Sequence, residues 1–125
     1  MHLQLKVLAV FLFFVSCFAA AEEYQVAPAA NWVKQHKLLT PEIPRDQIRD
    51  GTFYLMLDTQ LQVSEQAPQQ RFNRTVMQAV NQSGVDYISQ LNIDFDPNYQ
   101  SLTLNSLGII RDGQYIDKLN SAELQ

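Results

Sequence analysis

From Thr52 to Val63 the residues alternate, and this alternation restricts the fold more than any other feature of the chain. Phe53, Leu55, Leu57, Leu61 and Val63 fall on one side of a two-residue period. Tyr54, Met56, Asp58, Gln60 and Gln62 fall on the other. Successive side chains of a strand point to opposite faces, so the segment predicts a long, half-buried β-strand. Similar patterning recurs downstream. Residues 71–80 set Phe72, Val76 and Val80 against Thr75, Met77 and Ala79, a second strand for which a short helix is the competing reading. Residues 86–95 predict a third strand, with Leu91, Ile93 and Phe95 against Gln90, Asn92 and Asp94. Residues 101–111 predict a fourth, with Leu102 and Leu104 on one face and a switch of face at Ser106-Leu107-Gly108 that suggests a β-bulge. Residues 115–119 form a short return strand.

Turn chemistry separates these segments. Asp50-Gly51, Asn81-Gln82-Ser83-Gly84 and Asp96-Pro97-Asn98 are breakers, residues 64–69 with Pro68 read as a connection, and Asp112-Gly113 is a two-residue hairpin turn of the primed type. The expected fold is all-β: an antiparallel meander of about five strands. Upstream, residues 22–31 are weakly patterned and read as a linker or tail. Pro41 and Pro44 exclude a regular helix between Leu38 and Gly51. Residues 22–50 are therefore a linker and Pro-containing arm, and residues 51–125 an antiparallel β domain. Strands one and three bury only one face. The Trp32 arm supplies part of the cover, and the domain is expected to be incomplete without more.

The first 21 residues read as a cleavable secretory signal peptide. Lys6 opens the segment, Val7 to Phe18 is apolar apart from Ser16 and Cys17, and Ala19-Ala20-Ala21 leads to Glu22-Glu23. The run is shorter than the roughly 20 residues a spanning helix needs. Cleavage after Ala21 predicts a periplasmic or secreted protein. Val15-Ser16-Cys17 also resembles the lipidation site of bacterial lipoproteins, although Phe14 stands where Leu is usual. Lipidation at Cys17 is the alternative, and it alone would bring a membrane contact.

Charge and cysteine content exclude several functions. Nine Lys and Arg face 13 Asp and Glu, for a net charge of −4, and Lys6 lies in the leader. An acidic chain of this kind argues against a nucleic-acid partner. Cys17 is the one Cys, so beyond the leader there is no disulfide, thiolate metal site or cysteine nucleophile. His36, the one His beyond the leader, has no partner for a triad or a zinc site. Asp94-x-Asp96-x-Asn98 opens like a calcium loop, but Tyr99 replaces the required Gly and Asn105 the closing acid. The acid pairs Asp94/Asp96 and Asp112/Asp117 fit turns better than acid–base chemistry, which needs a cleft to separate their pKa values. Asn73-Arg74-Thr75 matches a glycosylation acceptor inside a strand. No catalytic, cofactor-binding or metal residue is assigned, and no cofactor is expected.

Several motifs together carry a family resemblance. They are Trp32-Val33, Asp50-Gly51-Thr52-Phe53-Tyr54-Leu55, Asp58-x-Gln60 and Val80-Asn81-Gln82-Ser83-Gly84-Val85. The most specific is Ser89-Gln90-Leu91-x-Ile93-x-Phe95-Asp96-Pro97-x-Tyr99-Gln100-Ser101-Leu102-Thr103-Leu104, and Arg111-Asp112-Gly113 with Ile116-Asp117 completes the set. The segment from Trp32 to Leu119 resembles the domain of unknown function that lies N-terminal to transglutaminase-like domains in exported bacterial proteins. The resemblance implies the leading part of a noncatalytic accessory β-sandwich domain, in a truncated form or fragment. Members of that family continue with further strands and often with a transglutaminase-like domain, whose Cys-His-Asp set has no counterpart here. It also implies a downstream transglutaminase-like domain, or another chain at the uncovered sheet face, as partner. The competing expectations are a stand-alone periplasmic interaction module that pairs its sheet with a partner chain and, more remotely, a small enzyme using acid pairs.

Overall fold

The computed structural model describes residues 24–119. The expected leader, with Cys17 and the expected cleavage site after Ala21, lies outside the described residues. The chain runs β1 (Tyr24–Val26), a single 3-10 turn (Arg45–Gln47), β2 (Thr52–Ser64), β3 (Ala67–Ala79), α1 (Gln82–Ile88), β4 (Leu102–Leu104), β5 (Gly108–Arg111) and β6 (Gln114–Asp117). The all-β expectation holds. The strands are distributed over three two-stranded ladders, β1–β4, β2–β3 and β5–β6, rather than one continuous meander.

The long hairpin β2–β3 dominates. Both strands are 13 residues, and the second segment is a strand, not the competing helix. The connection expected over residues 64–69 is shorter: Ser64 pairs with Ala67, so Glu65 and Gln66 alone make the turn. Pro68 lies inside β3, at a register irregularity between Gln62 and Ser64. A proline cannot donate to a ladder, and such an irregularity is where a strand tolerates one.

A second irregularity changes which residues share a face. Tyr54 pairs with Met77 and Met56 with Val76, which leaves Leu55 as the extra residue of a bulge. One inserted residue moves everything beyond it to the opposite face. By register, Phe53, Met56, Asp58 and Gln60 share a face with Phe72, Arg74 and Val76. Thr52, Tyr54, Leu57 and Leu61 share the other with Thr75, Met77 and Ala79. The expected single apolar face of Phe53, Leu55, Leu57, Leu61 and Val63 is therefore divided. Leu57, Leu61 and Val63 are 70%, 54% and 77% exposed, while Met56, Asp58 and Gln60 are half-buried.

The third expected strand, residues 86–95, is not formed. The Asn81 side chain caps α1 by accepting from the Gly84 N–H at 3.0 Å. Gln82 Nε2 donates to Asp86 Oδ1 one turn on, at 2.9 Å. Asn is a preferred N-cap, and this local signal outweighs the alternation that follows it. Asn81-Gln82-Ser83-Gly84 is thus a helix start rather than a turn. Residues 89–95 have no ladder partner, and Leu91 and Ile93 remain exposed.

The fourth expected strand is two strands that belong to different ladders. β4 pairs in parallel with β1, so part of the expected linker is a strand. Asn105 closes that ladder, its Nδ2 donating to the Ala27 carbonyl at 2.9 Å. Leu107 opens the next one, its carbonyl accepting from the Lys118 N–H at 2.8 Å. The switch of face at residues 106–108 is accordingly a change of partner, not a bulge.

Two Asp-Gly turns behave as their composition predicts. Asp50 and Gly51 have φ of 49° and 72°, and Asp112 and Gly113 have 52° and 75°. Positive φ at both central positions is the primed geometry that matches strand twist. The first turn is closed by Arg49 and Thr52, whose N–H groups each donate to the other's carbonyl, at 2.9 and 2.8 Å. Thr52 is 1% exposed, and its hydroxyl also donates to the Arg49 carbonyl.

Candidate functional site

The most elaborated polar cluster among the described residues joins the arm to β2–β3. Residues 33–44 form no ladder and no helix, so the main-chain groups of this segment need partners from elsewhere. The hairpin supplies three of them through side chains. Gln60 Oε1 accepts from the Lys34 N–H at 2.8 Å, and Gln60 Nε2 donates to the Lys34 carbonyl at 2.8 Å. A primary amide offers an acceptor beside two donors, so here one side chain serves both main-chain groups of one residue. The second donor of Nε2 goes to Asp58 Oδ2 at 3.0 Å, which fixes the orientation of the amide.

Two further contacts extend this clamp along the arm. Trp32 Nε1 donates to Gln70 Oε1 at 2.7 Å, and Arg74 Nη1 donates to the His36 carbonyl at 3.2 Å. Residues 32, 34 and 36 thus meet the hairpin in turn, the period of an extended strand. Between them lies Val33, the one buried apolar side chain among the described residues, at 9% exposure. Its burial contributes roughly 1.5–3 kcal/mol. The arm does supply cover, as expected, but on the face of Asp58 and Gln60, which the bulge at Leu55 turns toward it.

The residues considered for chemistry are placed apart and engaged locally. Asp96 Oδ1 accepts from the N–H and the side-chain amide of Asn98, at 2.9 and 3.0 Å. The Asp96 N–H donates to Gln100 Oε1, and its carbonyl accepts from the N–H groups of Tyr99 and Gln100. This turn is closed on itself. Asp112 lies in the hairpin turn, while Asp117 Oδ1 accepts from the Leu119 N–H. Asn73 faces Thr59, whose hydroxyl donates to its Oδ1 at 3.0 Å. His36 is exposed. Among the described residues no group of three or more His, Cys, Asp or Glu could hold a metal ion. A shallow concavity is lined by Glu42, Ile43, Pro44 and Arg45.

Among the described residues, Tyr87 on α1 has a displaced titration. Its phenol is raised above the ordinary 10.0, first by a hydrogen bond with Tyr54, then by the charge of Tyr54, with Asp50 adding to it. Both rings are substantially exposed, so this is a surface contact between α1 and β2. No described helix is long and apolar enough to cross a membrane.

Comparison with known proteins adds one finding. Residues 66–125 match the family model DUF3857, a domain of unknown function with a solved structure. No curated protein and no solved structure matches the chain significantly. The matched segment takes in β3, α1 and everything after them.

Sequence reasoning missed Gln60, Gln70 and Arg74 as a set. A signal was present: on the face that holds Phe53, Met56, Phe72 and Val76, the half of the hairpin toward its turn carries Asp58, Gln60 and Gln70 instead of apolar residues. Such a face satisfies a main chain rather than packing against a side chain.

Proposed function

We propose that this chain is a noncatalytic accessory or binding β-domain of an exported bacterial protein of the transglutaminase-like kind. It acts after delivery to the periplasm or secretion by the leader at residues 1–21, with anchoring through Cys17 as the alternative. The observation that carries the reading is the exposure of one stripe of β2. Leu57, Leu61 and Val63 share a face with little local cover. Contiguous apolar surface of this kind marks a contact with a neighbouring domain or chain.

The experiment is sedimentation of the full chain alone and mixed with a transglutaminase-like domain from an exported protein that carries the same domain of unknown function. A complex in which the amides around Leu57 and Leu61 gain protection from hydrogen exchange is the expected result. A chain that folds cooperatively, stays monomeric and ignores that domain would overturn the reading.

A second reading rests on β5–β6. All eight residues of this hairpin are exposed, Ile109, Ile110, Tyr115 and Ile116 among them. An isolated two-stranded hairpin is marginal in water, and its open edges can pair with another chain. On this reading the chain is a stand-alone interaction module. Hydrogen-exchange protection that appears at Gly108–Arg111, rather than at Leu57, on mixing with a partner selects it.

A further inference from the structure

We propose that the face of β2–β3 formed by Gln60, Gln70 and Arg74 is a binding site for an extended peptide, and that the arm occupies it in cis. Three of the contacts to the arm are made to main-chain atoms: the Lys34 N–H, the Lys34 carbonyl and the His36 carbonyl. Every peptide has these groups, so the clamp recognises an extended backbone whatever its side chains. Selectivity comes from two places. Gln70 Oε1 accepts from an aromatic N–H at the position of Trp32, and the next residue, Val33, is buried. The ligand class is therefore an extended segment with Trp followed by a small apolar residue. Main-chain bonds supply affinity and side chains supply choice, as in other strand-like recognition.

The arm is built to be exchangeable. It makes no ladder with the hairpin, so no continuous row of main-chain bonds must break at once. It is tethered at both ends, upstream by the β1–β4 ladder and downstream to β2 through the segment that carries Pro41 and Pro44, whose prolines hold their φ fixed. A tethered segment competes at an effective concentration in the millimolar range for a short connection. A free peptide therefore binds the unaltered chain weakly and gains access when the arm is loosened.

The inference goes beyond the accessory-domain reading and concerns the opposite face of the hairpin. Its probe is a fluorescently labelled peptide of residues 30–38, titrated by anisotropy against three forms of the full chain: unaltered, Trp32→Ala, and Trp32→Ala with Gln60→Ala. Loosening the arm with Trp32→Ala is expected to tighten peptide binding by about tenfold, and adding Gln60→Ala to reverse that gain. Hydrogen exchange on the unaltered chain is read alongside, so that the outcome does not depend on either variant folding. Excess unlabelled peptide is expected to expose the Lys34 amide while the β2–β3 ladder stays protected. Equal binding by all three forms, or a Lys34 amide that stays protected at saturating peptide, overturns the proposal. The arm is then a permanent strap, and the accessory-domain reading, tested by sedimentation at Leu57 and Leu61, is left standing.

Discussion

Gly51 and Gly84 meet backbone to backbone. A Cβ on Gly84 would fall inside the contact distance of the Gly51 carbonyl, and one on Gly51 would lie 2.5 Å from the Gly84 N–H nitrogen. The same Gly51 carbonyl accepts from the Val80 N–H at 2.9 Å. The turn that opens β2 and the helix that follows β3 are thus locked together at a point where only two glycines fit.

Gly84→Ala tests this contact, because two effects oppose each other there. In a free helix the change gains up to about 1 kcal/mol of propensity. Here the new methyl must displace backbone, and overpacking of that kind costs roughly 1–3 kcal/mol. A net loss of stability is expected in urea unfolding. A more stable variant would show that α1 does not sit against the Asp50-Gly51 turn.

The Asp112-Gly113 turn isolates backbone strain from crowding. Nothing lies within 4 Å of a Cβ at Gly113, whose φ is 75°. Gly113→Val should cost about 1–3 kcal/mol through strain alone. Gly113→Asn should cost visibly less, since Asn tolerates the left-handed region. Thermal melts of the two variants compared with the unaltered chain decide it, and coincident melts for Val and Asn contradict the assigned turn.

What the sequence disclosed, and what it did not, follows from the range of each signal. The two Asp-Gly turns and the two long strands rest on local chemistry and were legible. The bulge at Leu55 was not, because the apolar residues keep their two-residue spacing in the sequence while the inserted residue turns Phe53 and Leu57 to opposite faces. Asn81 reads equally as a turn or a helix cap until the Gly84 N–H is seen to point at it. The parallel pairing of β1 with β4 joins segments far apart in the chain and leaves no local trace. The candidate site was half legible. Trp32-Val33 and Asp58-x-Gln60 stood out as separate motifs, and the fold brings them together.

The contact between Tyr54 and Tyr87 makes an alkaline prediction. The folded-state pKa of Tyr87 is raised above its ordinary 10.0, chiefly by its hydrogen bond with Tyr54. The neutral phenol is therefore favoured in the fold. Its stabilising contribution is fully present below pH 10 and is lost as pH rises through the raised value, because the unfolded chain releases its proton first. Tyr54→Phe removes the hydrogen bond, so the Tyr87 pKa should fall back toward 10. Ultraviolet titration of tyrosinate in both proteins checks this. An unchanged late-titrating phenol in Tyr54→Phe would assign the shift to another cause.

The two faces of β2 should answer differently to the same chemical change. Val33 is buried and lies between Trp32 and Lys34, which bond to the hairpin face that carries Gln60, whereas Leu57, on the other face, is 70% exposed. Val33→Ser removes the buried apolar group and leaves a hydroxyl in its place, at a cost of about 1–3 kcal/mol. Leu57→Ser removes a larger side chain that rests mostly in water, and a surface change of this kind stays within about 0.5 kcal/mol. Hydropathy alone ranks the two the other way, since Leu is the larger apolar residue and sits in the centre of the strongest strand pattern. Urea midpoints of the two variants separate the alternatives. A larger loss from Leu57→Ser than from Val33→Ser would mean that β2 has no bulge at Leu55 and buries the face its simple alternation suggests.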